Sequence, residues 1–309
     1  MAKLEITLDT PRWWQLRTVV FSHGWYNLPP FLWDDEKEIL FTAAVVGDRA
    51  VDISILQPKR GSANLKADFL GRSSTAMREQ IQKIGSSMLG LSLSFDDFYK
   101  LVGPEYAWAK KRGAGPFLRG ASVFEDAVKM LATTNCSWSL TRQMMTRLTD
   151  SIGLEAPSGR RAFPTPAAMA REPSSFYRDV VRAGYRSAFF PKFAQAVAEQ
   201  SIDVESWCNY LGSSAELVKT IRSQPGFGPY AAENLCKLLG RFDGLGLDSW
   251  CMKKYPQIAG PVRGDVGKAI ENRYARYKEW KGLALWLDLT RDWHEENPLT
   301  LSGDSFKKR

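Results

Sequence analysis

Ile221-Arg-Ser-Gln-Pro-Gly-Phe-Gly-Pro-Tyr-Ala-Ala-Glu-Asn-Leu235 joins two helical runs through a pair of glycines one residue apart, bracketed by prolines. Gly226 and Gly228 are expected to take positive φ, at no steric cost. Pro229 suits the first turn of the second helix, where its missing N–H loses nothing. Such a turn directs free backbone N–H groups and a helix N-terminus outward, a ready seat for a phosphate oxygen. Eighteen residues past Tyr230, the segment Gly246-Leu-Asp-Ser-Trp250 brings Asp248 to the start of another helix. A phosphate cradle with an acid beside it points to chemistry on a nucleic-acid backbone or sugar.

Gln224-Pro-Gly-Phe-Gly-Pro-Tyr-Ala-Ala232, a helix, then Leu247-Asp248, resembles the helix-hairpin-helix/Gly-Pro-Asp (HhH-GPD) motif of the DNA glycosylase superfamily. Pro-Gly-x-Gly alone is common in unrelated loops, and the spaced aspartate makes the match specific. Phe124-Glu125 with Thr133-Thr-Asn-Cys-Ser-Trp138 is similar to the Phe-Glu to Ser-Ser-Asn-Asn-Asn segment of 8-oxoguanine glycosylases. Phe163-Pro164 and Gly184-Tyr-Arg186 resemble that branch's Gly-Phe-Pro and Gly-Tyr-Arg landmarks, in the same order. The resemblance spans roughly residues 115–295, with a fainter echo before it, and is nearest the 8-oxoguanine and 3-methyladenine branch.

Composition agrees with this reading without establishing it. The 309 residues suit one large domain or two, and 44% hydrophobic content is enough for a core. A formal charge of +8 favours a polyanionic partner. No apolar run approaches the length of a membrane span, and Met1-Ala-Lys-Leu-Glu-Ile6 lacks a signal-peptide core, so a cytoplasmic protein with no membrane partner is expected. Cysteines at 136, 208, 236 and 251 are too sparse for a disulfide scaffold and read as small buried apolar residues. Only Cys251 follows Asp248, so the four-cysteine iron–sulfur cluster of some superfamily members has no ligands here. With His23 and His294 the only histidines, no metal site is expected. The resemblance implies no cofactor beyond a monovalent cation at the hairpin.

The predicted fold class is α+β. Residues 1–75 form an N-terminal curled antiparallel β-domain (TBP-like), as in glycosylases of these branches. Its strands are Leu4–Leu8, Gln15–Phe21, Glu38–Val46 and Ala50–Leu56, and the polar stretch Gln57–Ala67 reads as a loop running into one more. Residues 76–300 form the helical HhH-GPD core. Apolar spacing of three and four predicts helices over Met77–Leu89, Ser94–Lys110, Ser122–Thr134 and Leu140–Ile152. Further helices are read at Ala167–Ala170, Phe176–Ala183, Pro191–Glu199 and Val204–Leu211, and a last one over about 277–294. Ser213 and Glu216 have capping-box spacing. Residues 301–309 read as a disordered tail.

Asp248 followed by Ser249 is a natural helix N-cap, and the resemblance adds a catalytic role compatible with it. A carboxylate near C1′ stabilises the oxocarbenium-like sugar of glycosidic cleavage and orients or deprotonates water. Tyr230 stands where bifunctional members carry the Schiff-base lysine, and a phenol forms no imine. Lys237, two turns on, reads as a surface charge. Gly226, Phe227, Gly228 and Tyr230 make up the backbone-binding hairpin. Asn135, Tyr185 and Arg186 match residues that fill the gap left by a flipped base and contact its widowed partner, although Cys136 and Ser137 replace two family asparagines. The base pocket is expected from His23, Gly24, Trp25, Trp33, Tyr230, Asn234 and Trp286. Asn234 replaces the pocket cysteine, and Gly282 stands where 8-oxoguanine readers place a glutamine, leaving room for a bulkier base.

These residues imply a monofunctional DNA glycosylase, acting as a monomer on double-stranded DNA. It would flip out and hydrolyse away a modified base: an alkylated purine held by an aromatic box, or a hypermodified pyrimidine of phage DNA. A hairpin protein that binds DNA without catalysis is the competing class, as is an unrelated helical scaffold. Retention of Asp248 at the motif spacing favours the enzyme.

Overall fold

A computed structural model of the chain describes residues 1–295, so the tail expected at 301–309 lies outside the described residues. Five strands, β1 (Ala2–Asp9), β2 (Leu32–Asp34), β3 (Ile39–Val46), β4 (Arg49–Lys59) and β5 (Ser62–Phe69), form an open antiparallel sheet in the order β1-β5-β4-β3-β2. The period-2 pattern fixes the register. Ala63, Leu65, Ala67 and Phe69 are buried on one face of β5, with Leu65 opposite Ile6 on one side and Ile55 on the other. Helix Thr75–Met88 covers that face with Met77, Ile81, Gly85 and Met88. A Cβ on Gly85 would lie 2.4 Å from Leu65 Cδ1, so the missing side chain lets helix and sheet approach. The boundary expected near residue 75 thus opens a helix that packs back on the sheet, and one hydrophobic cluster runs from Ile6 to Leu289.

Helices follow for the rest of the described chain, an α+β arrangement as expected from the sequence. Several elements differ from expectation. Gln15–Phe21 is not a strand but contains the helix Leu16–Val20, whose buried Leu16, Val19 and Val20 fall at helical spacing. Gln57 Oε1 accepts the Leu16 N–H at 2.9 Å, a cap supplied from β4 that no local pattern reveals. The polar stretch read as a loop is instead the end of β4, a tight turn and most of β5. Ser94–Lys110 is broken at Gly103 (φ +59) and Pro104 into Asp96–Val102, a 3₁₀ turn, and Ala107–Arg112. Val204–Leu211 shrinks to the 3₁₀ turn Glu205–Asn209. The last helix is divided into Ala275–Trp280, Lys281–Leu289 and Arg291–Glu295, with Lys278 at φ 50.

Helix Val123–Thr133 runs through the centre with every residue from Val123 to Ala132 buried. It carries two buried ion pairs, Lys129–Glu125 at 2.5 Å and Arg119–Asp126 at 3.3 Å. Its C-terminal end delivers Thr133–Cys136 to the cavity described next.

Candidate active site

The hairpin joins helix Ser214–Arg222 to helix Pro229–Leu238. Ser213 and Glu216 cap the first helix reciprocally, through Glu216 N–H to Ser213 Oγ (3.3 Å) and Ser213 N–H to Glu216 Oε2 (2.7 Å). Gly226 has φ +86, and a Cβ there would also strike the Phe189 ring at 2.9 Å. Gly228 departs from expectation: it is extended, φ −86 and ψ 179, and serves as N-cap of the second helix. Nothing lies within 4 Å of the place its Cβ would take, so its lack of a side chain keeps the helix N-terminus open to an approaching group. Phe227 is buried, 5.2 Å from the Phe193 ring, and anchors the hairpin to the core. Among the described residues no cluster of three His, Cys, Asp or Glu converges on a metal.

Asp248 caps helix Ser249–Ala259, its Oδ1 accepting the Cys251 N–H at 2.7 Å. One carboxylate oxygen is thereby fixed. The side chain lines a cavity of about 730 Å³ together with Tyr230, which comes from the start of the second hairpin helix. Burial first, then the nearby Asp248 carboxylate, pushes the Tyr230 phenol up to about 12, while a hydrogen bond with Thr133 opposes them. Tyr230 is therefore a neutral phenol at physiological pH.

The walls come from both ends of the chain. Ser22–Trp25 is zipped to Phe117–Gly120. Leu118 N–H donates to Ser22 Oγ (3.0 Å), His23 Nε2 bonds Leu118 O (2.6 Å), and Trp25 Nε1 donates to buried Asp126 (2.8 Å), which also accepts Gly120 N–H (2.7 Å). Burial lowers His23 to about 4, so it is neutral and donates through Nε2. Trp286 Nε1 donates to Ser22 O at 2.9 Å, tying the last helical segment to the same wall. Gly24, Trp25 and Trp286 line the cavity. Trp138 lies so close that a Cβ on Gly24 would sit 2.4 Å from its ring.

Lys237 is not a surface charge. It is 5% exposed and lines the cavity, on the same helix face as Tyr230 and Asn234 at i, i+4 and i+7. Its Nζ donates to Asn234 Oδ1 (3.3 Å) and Leu245 O (3.1 Å) and lies 5.7 Å from the centre of the Trp286 ring. Asn234 Nδ2 in turn donates to Tyr230 O and Gly246 O, each at 3.0 Å. Both ends of the Asn234 amide are engaged, so this residue orients Lys237. Periodicity could have flagged Lys237, since it shares a face with two residues already assigned to the pocket.

Trp33 and Gly282 do not reach the cavity. Trp33 lies on edge strand β2, donates to Asp35 at 3.0 Å and packs on Phe21 at 5.8 Å. Gly282 donates to Phe242 O at 2.7 Å, and a Cβ there would fall 2.1 Å from Gly244 O. Its smallness serves helix–loop packing and adds no room for a base. Trp250 and Trp293, not assigned from the sequence, take part instead: their rings lie 5.8 and 5.9 Å from Trp286 and they line the cavity.

Asn135, exposed and at φ +46, stands on the turn after helix Val123–Thr133. Tyr185 is 51% exposed, and its hydroxyl is 2.7 Å from Thr134 Oγ1, so the two turns touch. Arg186 is buried rather than presented to solvent. Its Nε donates to Leu131 O at 3.1 Å, and its guanidinium carbon lies 4.5 Å from the centre of the Tyr185 ring, bracing both turns from below. Tyr185 also meets Phe189 edge-on at 6.1 Å, the ring that Gly226 abuts, which links this loop to the hairpin.

Solved structures share the fold across nearly the whole chain. The 3-methyladenine DNA glycosylase from Archaeoglobus fulgidus superposes with a TM-score of 0.70 at 17% identity, covering 96% of this chain and 100% of its own. The chain has the DNA glycosylase fold. MBOgg1, in complex with a low-affinity DNA ligand, gives 0.70 at 16% identity and the same coverage. The 8-oxoguanine glycosylase/lyase from Clostridium acetobutylicum in its apo form gives 0.68 at 12%, covering 92% of this chain and 95% of its own. Comparison with family models and with curated proteins finds no match.

Proposed function

We propose that this protein is a monofunctional DNA glycosylase that extrudes a modified base from duplex DNA and hydrolyses its N-glycosidic bond. The observation that carries the reading is Asp248, fixed by the Cys251 N–H beside the hairpin and lining an aromatic cavity together with Tyr230. A phosphate seats on the open helix N-terminus at Gly228, which brings the adjoining sugar to Asp248 and its base into the cavity. Asn135 and Tyr185 fill the vacated stack, with Arg186 bracing them.

In the reaction the C1′–N bond lengthens and the sugar becomes oxocarbenium-like. The Asp248 carboxylate stabilises that cation and takes a proton from the water that adds to C1′. The leaving nitrogen keeps the C1′–N electron pair and takes up a proton, in net the one released by the attacking water, so the products are neutral free base and an intact abasic site. Tyr230, a neutral phenol, has no amine for an imine. Lys237 lies roughly 10 Å further along the helix axis, and its Nζ is tied to Asn234 and Leu245, on the base side of the cavity. The substrate is a damaged or modified base flanked by tryptophans. Repair, or attack on modified foreign DNA, follows from which base that is.

Duplexes carrying single modified bases, scored for alkali-labile sites, test the reading. Wild type generates such sites on its substrate, and Asp248→Asn loses them while keeping DNA affinity. An Asn variant as active as wild type would refute the assignment.

A further inference from the structure

We propose that Lys237 is the specificity-determining residue of this cavity. On this view the extruded base carries an anionic or strongly accepting oxygen substituent on the edge remote from the sugar. This rests on the glycosylase reading above and names its substrate class.

Lys237 is a buried amine whose two recorded hydrogen bonds go to neutral acceptors, Asn234 Oδ1 and Leu245 O. An ammonium has three donors, so one N–H remains for a ligand. Among the described residues no carboxylate lies within 4.0 Å of its Nζ, whereas buried Lys129 sits 2.5 Å from Glu125. A buried cation without a counter-charge is costly. Burial accordingly lowers its pKa, against the raising influence of Cys251, Glu233 and Asp248. A ligand that brings a negative oxygen offsets this cost, and a cationic ligand adds to it. Besides Asp248 at the sugar end, the other charges on the cavity lining are Asp292, paired with Lys254 at 2.6 Å, the exposed Lys253, and the part-buried Arg142, a second cation whose sign also suits an anionic ligand.

Position along the helix then sets which part of the substrate meets the amine. Tyr230 and Asp248 flank the sugar end. Lys237 lies two turns deeper, beside Trp286, where a base stacked on that ring presents its far edge. Asn234, engaged at both ends, holds the amine at that depth. An alkylated purine carrying positive charge, such as 7-methylguanine, is disfavoured here, although the tryptophans alone would welcome it. A pyrimidine with a carboxylate or hydroxyl-bearing substituent is favoured.

The probes are a duplex containing 5-carboxycytosine and one containing 5-methylcytosine, which differ only at C5, where a carboxylate replaces a methyl. Wild-type protein is expected to bind the carboxylate duplex at least roughly tenfold more tightly, as charge-assisted hydrogen bonds do, and to release that base in preference. Lys237→Met, close to the same volume, should erase the difference between the two duplexes. Equal wild-type affinity for the two duplexes overturns the proposal, whether or not the Met variant folds. So does a folded Lys237→Met variant that retains the preference. Preferential binding with no base released from either duplex would leave Lys237 as the reader and count against the glycosylase reading.

Discussion

Asp248 is a helix cap to which the proposed function gives a second role. As N-cap it satisfies the Cys251 N–H, which fixes one carboxylate oxygen on the cavity wall, and the proposed reaction sets a developing cation beside it. In the same proposal the neighbouring Tyr230 phenol leaves out imine chemistry. Borohydride added during turnover should trap no covalent protein–DNA adduct, because Tyr230 forms no imine, and a trapped band on denaturing gels would refute base release without nicking. His23 gives a prediction about stability. Its pKa falls from an ordinary 6.5 to about 4 in the fold, so the folded state favours the neutral ring. The resulting stabilisation is complete above pH 6.5 and is lost as pH falls toward 4, about 3 kcal/mol in all. His23→Gln keeps a donor for Leu118 O and does not titrate. Urea unfolding of that variant should show a correspondingly smaller loss between pH 6.5 and 4, and an identical loss in both proteins would rule His23 out as the cause.

Among the elements, the hairpin depends on how firmly its first helix is held. The Ser213–Glu216 capping box closes that helix at its N-terminus, and Arg222 ends it just before the turn. Ser213→Ala should lower stability by about 1 kcal/mol, read as an earlier urea midpoint with an unchanged slope. An unchanged midpoint would mean that water replaces the cap at no cost. This element was legible because its signals are local: a capping spacing, two prolines, and glycines where the backbone turns sharply. Gly228 was the exception. Its identity answers to what approaches from outside rather than to its own dihedrals, and so periodicity and turn rules misassigned it. The helix Leu16–Val20 was misread for a related reason, since its valines favour strands and its first free N–H is satisfied by Gln57, forty-one residues away.

For the molecule as a whole, the +8 charge and the open hairpin predict a strongly salt-dependent affinity. Binding to unmodified duplex should weaken by roughly two orders of magnitude or more between about 50 and 200 mM salt. A flat response, measured by fluorescence anisotropy, would exclude phosphate contacts as its basis. At this scale the cavity joins segments more than two hundred and fifty residues apart, Ser22 receiving the Trp286 N–H. The sequence by itself determined the hairpin, the spaced aspartate and the α+β class, because each rests on local spacing and on the side-chain periods of helix and strand. Only the tertiary structure decided which residues line the cavity. It withdrew Trp33 and Gly282, brought in Trp138, Trp250 and Trp293, and turned Lys237 from a surface charge into a buried donor. The physical reason is that a pocket is made by non-local packing. Whether a helix face meets water or another wall is set by what folds against it, and no window of sequence contains that partner.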